Sequence, residues 1–452
     1  MARVIPPEDY GLMGMLTLVF AVASASSQLG LGAALIQLEE VSEDQNTTVF
    51  CSTLVVGILI MALVYSMSSL VADFFEAPIL QDLIRATSVT IFFTAITTVQ
   101  TSQISRSLNF RTGTLIEVFS SLLSGICGIW LAYKGFGVWS LAGLMIVRSA
   151  SHAASHWLLV RWRPTGSFKL SILHRLWEFS ASMYMSSILH HLTSNLHTVM
   201  IGKMLGPQEL GLFLRGSGLQ NMASGVIATV SQRVAFPFFS KIQSDRDVLV
   251  QSLRKQLKVT SLLSSLLMCF LFILAEPTIL ILFGEVWRGA IPVLKVLCIA
   301  GVYLPIDALS SQTIKALNAP RLFFWTEFTK KILLVCLLFT AFQYGIEGFA
   351  WALAVSSVAS VLLTSLGVSY LTGYKFYNQL QNFVSPQLVV GTLLVLTFVL
   401  QEQIGAEGEK GALLHLIAFV VAFITSFLFL RTSLFSDSWE LITKSKRSPS
   451  VL

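Results

Sequence analysis

Charged side chains inside long apolar runs are the residues of this chain that are best placed to do chemistry. Arg148 lies near the middle of the apolar run 137–160, and Arg85 and Lys295 lie at similar depths in two other runs. A charge at the centre of a bilayer costs about 2.5–3.5 kcal/mol even on insertion scales, so each one needs a compensating role. Cations in such places favour the electrostatic attraction of an anion, and Arg148 is the strongest candidate for that role.

Each of these cations also has a structural interpretation. Arg148 could form an ion pair within the protein or extend its guanidinium to the nearer membrane surface. Arg85 and Lys295 could form a symmetric pair that receives an anionic head group, or their long side chains could reach the interface. The same alternatives hold for Arg215, which lies one turn from the end of its run.

Carboxylates in the apolar runs suggest a second kind of site. Asp307 closely follows Pro305, and a helix-breaking proline frees backbone carbonyls that can join a carboxylate in binding a cation. Asp307 is therefore a candidate for coupling to a proton or a sodium ion. Glu117 and Glu327 occupy comparable places near the ends of two other runs. Their simpler interpretation is a salt bridge at a helix end, since Glu327 and Lys331 have i,i+4 spacing.

Histidine and cysteine spacing indicates neither a metal centre nor catalysis. His152 and His156 have the i,i+4 spacing of a metal site, but no adjacent glutamate completes a hydrolytic motif. Lining of a polar cavity and ordinary packing are the alternatives. The five cysteines all fall inside apolar runs without paired spacing, so neither a disulfide nor zinc is indicated. We predict no catalytic residue, no metal site and no cofactor.

Membrane-spanning helices are the elements that must position these residues. Of the 452 residues, 54% are hydrophobic and 12% are charged, whereas soluble domains carry about 25% charged residues. Crossing the hydrocarbon core takes about 20 apolar residues, and continuous rather than alternating runs exclude a β-barrel. The predicted fold class is an all-α, multi-pass integral membrane protein. We count about thirteen spans, at 11–36, 50–72, 79–101, 114–133, 137–160, 176–203, 209–236, 259–284, 289–311, 322–344, 346–372, 384–403 and 411–431.

Lysine and arginine in the loops predict the orientation of the spans. Basic residues concentrate in one set of alternate loops, including 161–175 and 241–258, and in the tail after Arg431. These loops are predicted to be cytoplasmic, and the net charge of +6 reflects them rather than a nucleic-acid partner. The opening loop at Pro7 would then lie outside, so we expect a further helix ahead of Met1.

Two loop motifs recur along the chain. Pro7-Glu8-Asp9-Tyr10-Gly11-Leu12 matches Pro207-Gln208-Glu209-Leu210-Gly211-Leu212, 200 residues further on. Ser102-Gln103 and Leu108-Asn109 match Ser311-Gln312 and Leu317-Asn318, 209 residues further on. Both opening loops start from the same side, which predicts parallel repeats, related by an axis along the membrane normal, that rock about a central cavity. Chance similarity among apolar helices is the alternative.

The repeat also predicts the domain organisation. An N-terminal bundle, incomplete by one helix, covers residues 1–160, and a cytoplasmic connector covers 161–175. A full repeat of six-helix type covers 176–373, two additional helices cover 384–431, and a cytoplasmic tail covers 432–452.

The motifs resemble the oligosaccharide flippase family, the Wzx-type polysaccharide transporter branch of the multidrug/oligosaccharidyl-lipid/polysaccharide exporter superfamily. The resemblance covers nearly the whole chain. Family members carry a helix before the loop that corresponds to Pro7–Gly11, so this chain is similar to a member without its first helix. The matching segments are the loop at Pro7 followed by Leu29-Gly30-Leu31-Gly32-Ala33-Ala34-Leu35, Gly135-Phe136-Gly137-Val138-Trp139, Leu205-Gly206 with the loop at Pro207 and Arg215, and Phe236-Pro237-Phe238-Phe239-Ser240-Lys241.

The resemblance implies transport without covalent chemistry. The substrate would be an undecaprenyl-pyrophosphate-linked oligosaccharide, flipped across the bacterial inner membrane for the synthesis of O-antigen, capsule or exopolysaccharide. Alternating access of a cationic central cavity would move it, with Arg148, Arg85, Lys295 and Arg215 as candidate substrate-binding residues. Implied partners are membrane lipids, a coupling proton or sodium ion, a polysaccharide polymerase and a chain-length regulator, but no nucleic acid.

Three other functions remain open. A multidrug or lipid II-type exporter belongs to the same superfamily. A membrane polysaccharide polymerase or glycosyltransferase would need a sizeable extramembrane loop or a nucleotide site, but the external loops are short and no Walker-type glycine loop is present. A structural membrane scaffold would not explain the charge of Arg148 within its apolar run.

Overall fold

The apolar runs form long α-helices, which confirms the predicted all-α fold class. The computed structural model describes residues 1–404. In that range six helical segments are long and apolar enough to cross a membrane, or seven if one bent pair counts as a single span. The count of about thirteen spans stays a prediction. The predicted span 411–431 and the tail 432–452 lie outside the described residues.

The helices divide into two units by their internal contacts. The first unit comprises Met1–Leu214 with Leu282–Val286, and the second comprises Arg215–Ile281 with the chain from Trp287 onward. The first unit contains α1 Pro7–Gln28, α2 Leu31–Gln37, α3 Glu43–Ser66, α4 Ser68–Phe75, α5 Ile79–Thr87, α6 Val89–Ala95, α7 Thr98–Arg106, α8 Phe110–Tyr133, α9 Val138–Leu159 and α10 Leu170–Leu205. Helix α10 packs along α1, so the boundary between the two units falls after α10. The second sequence repeat, in contrast, is predicted to begin at residue 176, within α10.

Helix α11, Pro207–Ile242, begins in the first unit and continues into the second. Buried apolar side chains from α11, α12, α14, α16 and α17 form the main core of the second unit, around Phe239, Leu253 and Ile306. The further elements are α12 Arg246–Ile273, α13 Ala275–Leu282, α14 Ala290–Ala316, α15 Pro320–Ala341, α16 Gly345–Thr372 and α17 Phe376–Ile404, with 3-10 turns at Glu285–Trp287 and Phe342–Tyr344.

Several of the predicted spans are divided between consecutive helices, and the breaks in the first and third spans are the most pronounced. The first breaks between α1 and α2, where Leu29 and Gly30 both have left-handed backbone conformations with φ of 50° and 69°. The third comprises α5, α6 and α7, and its axis bends by 44° before Thr98. The hydroxyls of Thr97 and Thr98 bond back to carbonyls of Phe93 and Thr94, at 3.1 and 3.3 Å. Such back-bonding bends helices, so this threonine-rich segment accounts for the break.

The repeat is visible in the backbone conformation of two equivalent turns. Leu108, between α7 and α8, has a φ of 51°, and Asn318, between α14 and α15, has a φ of 53°. The flanking bonds also match, since the amide of Asn109 donates to Ile104 at 3.1 Å and that of Ala319 donates to Ile314 at 3.4 Å. These turns are 210 residues apart, one more than the sequence match suggests, so Leu108 corresponds structurally to Asn318.

The two copies of the opening motif contact each other within the first unit. A Cβ atom added to Gly11 would overlap the carbonyl oxygen of Pro207, and one added to Gly211 would overlap the carbonyl oxygen of Pro7. Both overlapping atoms belong to the backbone of the first residues of α1 and α11. The overlap therefore cannot be relieved by rotation of a side chain. Glycine is required at both positions for this close approach. Each copy of the motif is therefore part of the contact surface of the other.

We expect Gly11→Ala and Gly211→Ala each to destabilise the protein by about 1–3 kcal/mol, as overpacked sites do. Gly218 is the matched control, because it lies on α11 and a Cβ there meets no atom within 4 Å. Alanine favours a helix over glycine by about 1 kcal/mol, so Gly218→Ala should maintain or raise stability. Thermal unfolding in detergent, followed by tryptophan fluorescence, measures the difference. Equal melting temperatures for Gly11→Ala and Gly218→Ala would contradict the reciprocal contact.

The predicted connector, 161–175, consists of a non-helical segment at 161–169, here called the strap, and the first turns of α10. The indole of Trp162 donates to the carboxylate of Glu43 at 2.8 Å, and the amide of Lys169 donates to the hydroxyl of Thr48 at 3.0 Å. Both acceptors lie in the first turns of α3. The strap is thus anchored at one helix end while it leads the chain from α9 to α10.

Candidate functional site

A polar cavity of about 470 Å³ lies within the first unit. Three ionisable side chains line it: Glu117 of α8, and Arg148 and His152 of α9. Most of its remaining polar lining consists of hydroxyl groups on α6 and α7 and at the break between them, from Thr94, Thr97, Thr98, Thr101 and Ser102. The cavity therefore combines a cation with many neutral hydrogen-bonding groups.

The hydroxyl lining arises from threonines spaced to lie on one helical face. Thr98, Thr101 and Ser102 follow an i, i+3, i+4 pattern within α7, which places their side chains on the same side of that helix. The hydroxyls of Thr97 and Thr98 donate to carbonyls of the preceding turn, which leaves their oxygens able to accept further bonds. These cavity-lining hydroxyl residues, the hydroxyl stripe, were not among the residues predicted from the sequence. A run of threonines at helical spacing inside an apolar segment could have indicated them.

The broken start of the chain forms part of the cavity wall. Gly32 and Ala33 of α2 line the cavity, and both belong to the segment that carried the family resemblance. The hydroxyl of Ser102 donates to the carbonyl oxygen of Gly32 at 3.0 Å. This bond ties α2 to α7, so the break at Gly30 positions a short helix against the hydroxyl stripe.

Arg148 lies midway along α9 and forms an ion pair with Glu117 of α8. Both side chains are 50% exposed. An ion pair with this exposure contributes only about 0–1 kcal/mol to stability, so its partners can exchange at little cost. Arg148 therefore has a protein partner and also lines an open cavity.

The two histidines of α9 have different environments. The Nε2 atom of His152 lies 3.8 Å from Glu117, and its side chain is one-third exposed. His156 is buried, and its Nδ1 donates to the carbonyl of His152 at 2.9 Å. The other ring nitrogen of His156 lies 3.4 Å from the hydroxyl of Thr101. His152 thus belongs to the cavity, whereas His156 is held in the packing behind it.

Asp307 lies in a buried ion-pair cluster of the second unit. The ammonium of Lys330 is 2.9 Å from the carboxylate of Asp307 and 2.7 Å from that of Glu327. The hydroxyl of Thr364 donates to Asp307 at 3.0 Å. Lys330 is only 5% exposed, and the cluster ties α14, α15 and α16 together. The sequence spacing predicts a pair between Glu327 and Lys331, but the residue that pairs with Glu327 is the buried Lys330, at i,i+3.

The same position of the repeat carries charge in both units. Glu117 and Glu327 are 210 residues apart, the displacement that relates the turns before α8 and α15. In the first unit, Glu117 faces an open cavity together with Arg148. In the second unit, Glu327 belongs to a cluster closed around Lys330. One copy faces an open cavity, and the other binds a buried ammonium group.

The three remaining candidate cations are held over aromatic rings. Arg85 donates to the hydroxyl of Ser68 at 3.1 Å and lies 5.4 Å from the ring centre of Tyr65. In the second unit, Lys295 lies 5.8 Å from the ring of Phe272, and Arg215 lies 4.8 Å from the ring of Trp287. Cation–π contacts of this kind contribute about 0.5–2 kcal/mol. Of the four candidates, Arg148 lines the polar cavity, and substrate binding by all four stays a prediction.

Comparison with solved structures shows the fold. The chain superposes on the lipid II flippase MurJ, in its inward closed conformation, with a TM-score of 0.76 and 16% identity, over 95% of this chain and 94% of that one. At this identity the likeness concerns the fold and leaves the activity open. It agrees with the apolar helices in describing a multi-pass membrane protein.

Sequence comparison identifies the family. The succinoglycan biosynthesis transport protein ExoT of Rhizobium meliloti is 26% identical over 92% of this chain and 85% of its own length. The teichuronic acid biosynthesis protein TuaB of Bacillus subtilis is 25% identical over 82% of this chain and 77% of its own. These relatives confirm the resemblance to polysaccharide transporters of the Wzx type. Since the model of the family described as "Polysaccharide biosynthesis protein" matches residues 1–292, the chain belongs to that family.

Proposed function

We propose that this protein flips undecaprenyl-pyrophosphate-linked oligosaccharide units from the inner to the outer leaflet of the bacterial inner membrane. The observation that carries the proposal is the half-exposed Arg148 in a cavity lined by hydroxyl groups. Two relatives named for succinoglycan transport and teichuronic acid biosynthesis support a polysaccharide precursor as the substrate.

The chemistry of the cavity suits the polar part of such a lipid. A pyrophosphate and its sugars cannot enter hydrocarbon without losing hydrogen bonds, at a cost of several kcal/mol for each group. A guanidinium such as that of Arg148 pairs with phosphate oxygens through two parallel bonds, and threonine hydroxyls exchange bonds with sugar hydroxyls. A volume near 470 Å³ lies within the range of ligand sites, about 300–1,000 Å³. The lipid tail stays in the bilayer, and no covalent bond changes.

The other candidate residues have secondary roles in this proposal. Arg85, Lys295 and Arg215 would guide the head group during alternating access of the cationic cavity. Asp307 remains the candidate for ion coupling, but the ammonium of Lys330 is already bound there. A coupling proton or sodium ion at Asp307 would have to act by displacing Lys330 or by neutralising its partner.

A lipid II-type exporter is the alternative that one observation favours. The fold is that of the lipid II flippase MurJ, and any pyrophosphate-linked sugar would suit Arg148 equally well. A multidrug exporter of cationic compounds fits less well, because Arg148 would repel them.

Deletion of the gene tests the proposal and separates it from this alternative. We expect loss of surface polysaccharide with accumulation of lipid-linked repeat units, while cell-wall synthesis continues. Restoration by the wild-type gene is the control. Normal polysaccharide in a strain without a second flippase of this family would overturn the proposal. Lysis with accumulated lipid II would favour the alternative.

A further inference from the structure

The cation of the cavity, Arg148, already has a carboxylate counter-ion, Glu117. Glu117 binds Arg148 through Oε1, while its other oxygen, Oε2, lies 3.8 Å from the Nε2 atom of His152. Glu117 is held by the Nη2 atom of Arg148, so a phosphate that pairs with the guanidinium through this atom displaces the carboxylate. The displaced carboxylate can reach a second basic group, the imidazole of His152, by a short rotation of its side chain.

We propose that Glu117 is a transferable counter-ion, paired with Arg148 in the empty cavity and with a protonated His152 in the loaded one. The inference rests on the proposed function of this cavity and adds a proton to its binding step. When a pyrophosphate oxygen replaces the carboxylate on Arg148, the imidazole of His152 takes one proton from water, and Glu117 pairs with the resulting imidazolium. The N–H bond forms as one O–H bond of the solvent proton donor breaks, the buffer restores that proton, and no other covalent bond changes.

Geometry distinguishes His152 from its neighbour His156 as the proton acceptor. His156 is 3% exposed, and both of its ring nitrogens are already engaged, with the carbonyl of His152 and the hydroxyl of Thr101. That arrangement completes the hydrogen bonding of a neutral imidazole. His152 is one-third exposed and lines the cavity, so water can reach it.

Charge in the cavity is confined to a few groups. Among the described lining residues, α1, α2, α6 and α7 contribute an amide, small or apolar side chains and hydroxyls. The ionisable lining groups are Glu117, Arg148 and His152, and all three come from α8 and α9. Glu117 and Arg148 cancel each other, so the proton gained at His152 supplies the net positive charge that faces an incoming polyanion.

This exchange also selects the ligand. Arg148 already holds a carboxylate, so a ligand that offers only a carboxylate gains no advantage over Glu117. A pyrophosphate diester brings two negative charges and oxygens placed for bidentate pairing. Displacement of Glu117 therefore discriminates against carboxylated lipids and in favour of pyrophosphate-linked ones.

Calorimetry on the full-length protein in detergent tests the proposal. The probe is farnesyl-pyrophosphoryl-N-acetylglucosamine, titrated at neutral pH in two buffers with different ionisation enthalpies. We expect the wild type to take up close to one proton for each probe bound. His152→Gln should bind without this uptake, and His156→Gln, the matched control, should retain it. Glu117→Gln should bind up to about fivefold more tightly, since an exposed ion pair no longer has to be broken, and without uptake.

The outcomes separate the two proposals. Binding by the wild type with equal heats in both buffers would overturn the counter-ion exchange and leave the proposed function standing. Undiminished proton uptake in either His152→Gln or Glu117→Gln would overturn the exchange as well, and the second variant keeps the test decisive should the first fail to fold. A wild type that does not bind the probe at all would overturn the proposed function and this inference together.

Discussion

Arg148→Ala is expected to lower delivery of lipid-linked repeat units to the outer leaflet by about ten- to a hundredfold. Hydrogen bonds to a charged group contribute about 1.5–3 kcal/mol, and each 1.4 kcal/mol is a factor of about ten. The loss also leaves Glu117 without its partner in the cavity, so its negative charge repels an incoming pyrophosphate. Restoration of surface polysaccharide in a deletion strain measures the effect.

The same substitution should leave folding intact. The ion pair is half exposed and stabilises the protein by at most about 1 kcal/mol, so the protein level should be unchanged. Arg148→Lys should transport at an intermediate rate, because lysine keeps the charge but lacks the planar fork that binds two oxygens. Arg111→Ala is the control and should transport normally, since Arg111 is exposed near the start of α8. Full transport by Arg148→Ala at normal protein level would refute the role of this residue.

Lys330→Met is expected to cause the largest loss of stability. Lys330 is 5% exposed and holds the carboxylates of Asp307 and Glu327. Removal of one partner from a buried ion pair costs about 3–5 kcal/mol, because an uncompensated charge remains in the protein interior. We expect a marked fall in melting temperature and a loss of monodisperse protein on size-exclusion chromatography.

Two further variants identify the cause of that loss. Lys331→Met, one residue along α15, removes the same charge outside the cluster and should change stability little. The double variant Lys330→Met with Asp307→Asn removes the buried carboxylate that lost its partner, so it should recover part of the lost stability. If the double variant were no more stable than Lys330→Met alone, lost packing rather than an unpaired charge would explain the effect.

The sequence alone determined the fold class, and it indicated the main candidate residue of the site. Continuous apolar runs and helix periodicity depend only on neighbouring residues along the chain, so they predict membrane-spanning helices without knowledge of packing. A charge inside such a run is costly wherever the helix lies, which is why Arg148 could be chosen as a candidate from the sequence. The loop motifs were sufficient to indicate the family, and the repeated glycines marked a feature whose purpose the sequence did not reveal.

The tertiary structure decided which residues meet. The pairs Arg148 with Glu117 and Asp307 with Lys330 each join two consecutive helices, whereas the contact of Gly11 with Pro207 joins α1 to α11. These contacts depend on the rotation and axial offset of each helix. Rotation and offset are set by close packing between helices rather than by the pattern within any one of them. For the same reason the structure distinguishes an open charged pair in one repeat from a buried cluster at the equivalent position of the other.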